Sequence, residues 1–212
     1  MELLVTAATA MEIQPFLDRY SAQPGISTCV TGIGSLATAV NLSLALRQHR
    51  EVMVVQAGIA GSFREDWIGQ VAAVASETLA DLGVQEQGMW KDIFDMRLQQ
   101  PDDFPFKGGQ LHNPAFETRN LTGLSRASAI TVNEITSHPQ RVQQLTQRYQ
   151  PDLESMEGAA LHYLCLRLQV PFLQIRAVSN LVGERDKSKW KMKESVRQLN
   201  EALFEYTEKF LS

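Results

Sequence analysis

The run Val52-Met53-Val54-Val55-Gln56-Ala57 is apolar almost without alternation and ends on Gly58-Ile59-Ala60-Gly61. A strand with one wet face alternates apolar with polar residues. A run like this one is instead covered on both faces, as strands of parallel sheets are. Helices supply that cover where strand and helix alternate along the chain. The rest of the sequence keeps that rhythm. Residues 3–7, 27–31, 70–78, 129–132, 153–155 and 172–178 read as strands. Residues 11–20, 36–46, 138–150, 157–168 and 191–210 read as helices, the first with Pro15 in its opening turn. Residues 116–121 read as a short helix. The glycines of Gly58-Ile59-Ala60-Gly61 are expected to turn the chain. Residues 85–113 show no period, with Trp90, Phe94, Phe104 and Phe106 scattered among charges. They read as a long loop or flap, and such loops commonly carry function. No linker or repeat divides the chain, so residues 1–212 are expected to form one α/β domain with a largely parallel sheet.

Composition removes several classes of function. The formal net charge is −4, whereas nucleic-acid binders carry a basic stripe. No apolar run reaches the roughly 18–20 residues that span a bilayer. The start Met1-Glu2-Leu3-Leu4 lacks the basic segment of a signal peptide. Cys29 and Cys165 stand alone in apolar stretches, which fits buried thiols in a reducing cytoplasm. His49, His112, His138 and His162 show no metal-ligand spacing, so no metal is expected. No cofactor is expected either.

Chemistry concentrates in two neighbouring stretches. Glu154-Ser155-Met156-Glu157-Gly158-Ala159-Ala160-Leu161 puts acids at the opening of an Ala-rich helix. Phe172-Leu173-Gln174-Ile175-Arg176-Ala177-Val178-Ser179-Asn180 is an apolar strand that ends in an amide and the charged loop Gly183-Glu184-Arg185-Asp186. Both belong at the carboxyl edge of the sheet, where open α/β folds place ligands. A carboxylate suits sugar hydroxyls, and an amide suits a base edge that both donates and accepts. Together they point to a nucleoside.

Other motifs divide between function and architecture. Thr31-Gly32-Ile33-Gly34-Ser35-Leu36-Ala37 fits the dinucleotide fingerprint, yet its strand is not the first in the chain and the acid expected downstream is misplaced. A tight strand–helix turn is the preferred explanation. The glycines at 58 and 61 allow a ligand close to the backbone. Glu12 follows the first strand and either answers a helix dipole or acts as a catalytic base. Arg176 lies in an apolar strand and needs a carboxylate or a ligand, with Glu12 and Glu157 as the candidates.

These residues carry a resemblance. The chain resembles the nucleoside phosphorylase and nucleosidase superfamily from end to end. The motifs are Gly58-Ile59-Ala60-Gly61, Met156-Glu157-Gly158-Ala159 and Ile175-Arg176-Ala177-Val178-Ser179-Asn180. Its Glu-Ser-Met-Glu-Gly-Ala and Ser-Asn-x-Val-Gly-Glu-Arg-Asp-x-Ser-x-Trp segments look like the futalosine branch of that family, which belongs to the alternative menaquinone pathway. The resemblance implies an α/β/α sandwich around a central mixed, largely parallel twisted sheet. It further implies hydrolysis of a purine nucleoside through an oxocarbenium-like transition state. Two registers are open at the N-terminus: one puts Gln14 at the place of the water-activating acid, and the ungapped one, preferred here, puts Glu12 there. Phosphorylases of this kind carry Arg and Ser where this chain has Gln56 and Ile59, which favours water over phosphate. The implied catalytic residues are Glu12, Asn180 and Arg176. Those implied to bind substrate are Met156, Glu157, Ile59, Ala60, Gly61, Ile130, Val132 and Ile135, the last three from the base-flanking loop. Asn180 in place of the Asp of adenine-type enzymes implies a 6-oxopurine, since its NH2 donates to O6 or N7. Futalosine also carries a benzoate-like tail on its 5′ side, for which Phe94, Phe104 and Phe106 with Arg97, Lys107 or Arg119 are candidates. The implied partner is a small-molecule purine nucleoside, with no nucleic acid and no membrane, and the implied assembly is a cytoplasmic homodimer in which residues 85–113 are a candidate for completing the neighbouring pocket.

Overall fold

The computed structural model describes residues 1–212. Ten strands and six helices follow one another as β1 (Glu2–Ala7), α1 (Ala10–Tyr20), β2 (Ile26–Val30), α2 (Ser35–Leu46), β3 (Val52–Ser62), β4 (Val71–Leu79), β5 (Gly83–Glu86), β6 (Met89–Asp92), β7 (Leu111–His112), α3 (Phe116–Arg119), β8 (Ser125–Thr131), α4 (Pro139–Tyr149), β9 (Leu153–Ser155), α5 (Gly158–Leu168), β10 (Phe172–Leu181) and α6 (Met192–Leu211). The sheet is mixed. β1 pairs in parallel with β2 and β3, β10 with β3, and β8 with β4 and β9. β10–β4, β3–β9 and β4–β7 are antiparallel.

The long strand β3 organises the layers. Its first half, Val52–Gln56, pairs with β1, and its end, Gly61–Ser62, pairs with β9. β10 runs along its other edge from Val54 to Ser62. The circuit β3–β10–β4–β8–β9 therefore closes on itself, and β1 and β2 extend from it. Apolar side chains cover both faces, as the unbroken run at residues 52–57 requires. Ile13, Phe16, Leu199, Leu203 and Tyr206 of α1 and α6 pack against Val5, Val55 and Ile175 on one side. Leu42, Leu46, Leu161 and Cys165 of α2 and α5 pack against Leu4, Val54 and Phe172 on the other. Each such side chain contributes about 1.5–3 kcal/mol when fully buried.

Two expectations change. Gly58-Ile59-Ala60-Gly61 does not turn the chain, because β3 continues through it to Ser62. The glycine at 58 is needed for space: a Cβ there would overlap the Arg176 guanidinium and stand 3.2 Å from Glu12 Oε1. Residues 85–113 are not wholly irregular either. Part of them forms the β5–β6 hairpin, and β7 adds to β4. Strands of two to four residues leave no period to read. The kink in α1 explains Pro15. Ile13 leaves helical geometry at φ −122°, ψ 19°, so Pro15 opens the second part of the helix.

Candidate active site

At the carboxyl ends of β1, β3 and β10 lies a cavity of about 250 Å3. Glu12, Ile59, Ala60, Gly61, Ile135, Met156, Glu157 and Asn180 all line it. Ile130 and Val132 do not. Both are 1% exposed and pack with Ala80 and Leu145 beneath α4. The backbone there is occupied as well, since Val132 N–H donates to Ser155 C=O and Ala80 N–H to Thr131 C=O. From the 130–136 segment it is Ile135 and Thr136 that reach the cavity.

Glu12 is 8% exposed and held from two sides. Thr9 donates its N–H and its hydroxyl to Oε2, each at 2.9 Å, and Ile59 N–H donates to Oε1 at 3.1 Å. Thr9 and Glu12 form the capping box that starts α1, so the same contacts that begin the helix aim the carboxyl. An ionised carboxylate accepts at about four lone-pair sites, which leaves capacity for a water. Gln14, the competing position, is exposed and donates to Asp18 at 2.8 Å, away from the cavity. Glu12 and Glu157 line the same cavity.

Glu157 caps α5 and is fixed by two elements. Gly34 N–H donates to Oε1 at 3.0 Å, and Arg176 Nη1 stands 3.5 Å from Oε2. Ser35 Oγ donates to Met156 C=O at 3.2 Å. The Gly32-Ile33-Gly34-Ser35 turn thus uses the N-terminus of α2 to hold a carboxylate of the chain itself, where the helix dipole favours negative charge. That is the architectural reading of the fingerprint. Gly34 adopts φ 88°, a conformation suited to glycine.

Arg176 is not in the cavity wall. It is 1% exposed and lies behind it, with Nη2 donating to Gln56 Oε1 at 2.8 Å. Of the two candidate carboxylates it pairs with Glu157, and Glu12 lies beyond ion-pair distance. A bulge between Val178 and Asn180 sets Asn180 opposite Gly61. Asn180 Oδ1 accepts from Ser179 Oγ at 2.7 Å, and Nδ2 donates to Leu181 C=O at 2.8 Å, which leaves one N–H free.

Among the wall residues to which the sequence assigned no role are Glu154, Thr136, Arg185 and Trp190. Thr136 donates its N–H to Glu154 Oε1 at 3.2 Å and its hydroxyl to Oε2 at 2.5 Å. Burial pushes the Glu154 carboxyl up, and those bonds oppose the shift. Arg185 is the one cation among the lining residues and has no carboxylate within ion-pair distance. Its guanidinium lies 5.6 Å from the centre of the Trp190 ring. By contrast, Phe94, Phe104, Phe106, Arg97, Lys107 and Arg119 do not line this cavity. Phe94 and Phe106 meet edge to face at 5.3 Å, and Phe106 packs on Leu111 and Ala159. Behind the site, Glu77 is fully buried, accepting from Gln174 at 2.8 Å and Thr131 at 2.9 Å. Burial pushes its carboxyl up to about 7.

Comparison with known proteins gives a consistent picture. The profile of the Phosphorylase superfamily matches residues 19–212. The chain is 31% identical to a futalosine hydrolase of Thermus thermophilus over 177 residues, 82% of this chain and 77% of the relative. It is 28% identical to a futalosine hydrolase of Streptomyces coelicolor over 225 residues, 96% of this chain and 94% of the relative. The solved futalosine hydrolase of Helicobacter pylori superposes with a TM-score of 0.78 at 14% identity, covering 98% of this chain and 97% of that one. A 5′-methylthioadenosine/S-adenosylhomocysteine nucleosidase of the same organism also superposes at 0.78, with 14% identity and 98% of each chain covered. At these identities the superpositions speak for the fold.

Proposed function

The chain belongs to the phosphorylase superfamily and, within it, to the futalosine hydrolases. From that membership we infer that it is a nucleosidase that hydrolyses the N-glycosidic bond of futalosine. The observation that carries hydrolysis is the seat of Glu12. Phosphorolysis needs cationic donors around a phosphate dianion. Here a carboxylate takes the Ile59 N–H, and the nearest buried cation, Arg176, is taken by Glu157 and Gln56. An anion there repels phosphate and accepts a proton from water.

The mechanism follows from the placement of the groups. Glu12 orients a water against C1′ of the ribose and takes its proton as the glycosidic bond lengthens toward an oxocarbenium ion. Glu157 accepts hydrogen bonds from the 2′- and 3′-hydroxyls, with Met156 beside the sugar. Arg176 is a positioning residue that keeps Glu157 in place. Asn180 donates its free N–H to the leaving purine, which we read as hypoxanthine. Arg185 on Trp190 suits the carboxylate and ring of the 5′ tail, the one anionic part of the substrate. We read the reaction as a step of menaquinone biosynthesis, as the futalosine resemblance implies.

The assembly is read as a homodimer. Ile33, Leu36, Val40 and Leu44 form an exposed apolar stripe from the glycine turn along α2, with Leu36 79% exposed. Contiguous apolar surface of this kind marks association. Ile33 also lines the cavity, and no residue of 85–113 reaches its own cavity. A second copy that covers the stripe and lends its 85–113 segment would complete the wall. A cytoplasmic location fits the two free cysteines. No helix is long and apolar enough to cross a membrane.

The test is incubation with futalosine, inosine and methylthioadenosine, each with and without phosphate. The expected products from futalosine are free hypoxanthine and a free reducing sugar, at a rate independent of phosphate. A sugar 1-phosphate would overturn hydrolysis. Preference for methylthioadenosine would overturn the choice of base and leave the sugar site standing.

A further inference from the structure

The cavity holds a carboxyl that the chemistry at the sugar does not use. Glu154 is 7% exposed, yet it lines the cavity. Its backbone pairs with Gly61 of β3, and Gly61 pairs on its other edge with Asn180 of β10. Residues opposed on neighbouring strands share a face of the sheet. Two strand spacings put the Cα atoms of Glu154 and Asn180 about 10 Å apart. Between them stands a residue without a side chain, and a Cβ on Gly61 would come within 3.6 Å of Asn180 Nδ2. The result is a gap wide enough for a flat base, with an amide on one flank and a carboxyl on the other. Thr136 gives that carboxyl two donors and nothing to donate to, so lone pairs remain for a ligand. The other acids of the wall are engaged elsewhere: Glu12 by Thr9 and Ile59, Glu157 by Gly34 and Arg176, Glu184 by Lys189.

Building on the nucleosidase reading, we propose that Glu154 and Asn180 read the six-membered edge of a 6-oxopurine as a pair, with Asn180 donating to O6 or N7 and Glu154 accepting from N1–H. A 6-oxopurine carries a proton on N1 beside a carbonyl. A 6-aminopurine carries a bare N1 beside an amino group. Facing Glu154, the first makes a charge-assisted bond and the second sets lone pair against lone pair. A site built to bond one pattern leaves buried polar groups unpaired with the other, and discrimination of that kind is strong. Glu154 is therefore a specificity-determining residue, separate from the groups that act on water and ribose.

Binding of the free bases tests this without cleavage. Calorimetry with hypoxanthine and adenine is run on the wild type and on Glu154→Gln, with thermal unfolding as the check on folding. The wild type is expected to prefer hypoxanthine. Glu154→Gln should weaken hypoxanthine roughly 10- to 100-fold, the scale of a hydrogen bond to a charged group, and leave adenine unchanged or tighter. On the wild type alone, 1-deazahypoxanthine, with C–H in place of N1–H, should bind as weakly as hypoxanthine binds the variant, so a misfolded variant does not block the test. Equal losses for both bases, tight binding of the deaza base, or no wild-type binding of hypoxanthine would each overturn the proposal. The nucleosidase reading fails separately: a wild type that binds hypoxanthine through Glu154 but cleaves no nucleoside overturns that reading alone.

Discussion

Arg176 Nη1 lies 3.5 Å from Glu157 Oε2, and both side chains are buried. The guanidinium also binds Gln56 and packs over the bare Cα of Gly58. One buried cation thus links β10, the centre of β3 and the acid at the head of α5. Removing a single partner of such a pair leaves an uncompensated charge, which typically costs about 3–5 kcal/mol. Arg176→Met should lower the unfolding free energy by that order in a urea titration. A loss under about 1 kcal/mol would mean that the pair does not hold the site together.

Glu157 should show its role through the sugar. Glu157→Ala should slow cleavage of a ribonucleoside by the equivalent of about 1.5–3 kcal/mol, the usual value of a hydrogen bond to a charged group. A 2′-deoxy substrate, with fewer hydroxyls to lose, should suffer much less. Kinetics of both substrates on wild type and variant provide the comparison. Equal losses would take Glu157 out of contact with the hydroxyls.

Asn180 should govern the base. Asn180→Asp replaces the NH2 donor with an acceptor, so 6-oxopurine cleavage should fall and 6-aminopurine nucleosides should gain. The ratio of kcat/KM for inosine and adenosine reads this directly. An unchanged ratio would place base selection elsewhere.

The strands and helices that build the core were legible because burial leaves a pattern. Residues 52–57 and 172–178 are apolar apart from Gln56, Gln174 and Arg176, and α6 is amphipathic along its length. Ring closure was not legible, since it depends on β9, whose three residues say nothing about their partners. Glycines usually weaken strands, so the end of β3 read as a turn. Only the structure shows that Arg176 and Glu12 fill the space at Gly58. Within the site, Glu157 and Asn180 stood out as polar residues at element ends. Glu154 opens the same stretch but carries no role of its own in the sequence, because only the structure shows that it lies in the cavity wall opposite Asn180. Arg176 calls for Glu12 or Glu157 as its partner, and only the packing of β10 against the head of α5 decides for Glu157.

Glu77 gives a prediction in pH. Burial raises its carboxyl from 4.5 to about 7, so the folded state holds that proton more tightly than the unfolded chain. Its effect on stability is therefore absent below about pH 4.5, grows as pH rises toward 7, and is then constant. The direction is a loss of stability with rising pH, on the order of 3 kcal/mol in full. Glu77→Gln should remove that slope, so the unfolding free energies of variant and wild type should diverge between pH 4.5 and 7 in favour of the variant. Parallel curves across that window would show that Glu77 ionises equally well in both states.

The most direct test of the account concerns Glu12 and water. Glu12→Gln keeps the size and one acceptor oxygen, for Thr9 or for Ile59 but not for both, and removes the base. Steady-state cleavage of futalosine should fall by about 100-fold or more, the usual scale for a positioned general base, while hypoxanthine binds as before. Near-normal turnover in Glu12→Gln, together with a large loss in Gln14→Ala, would contradict the account.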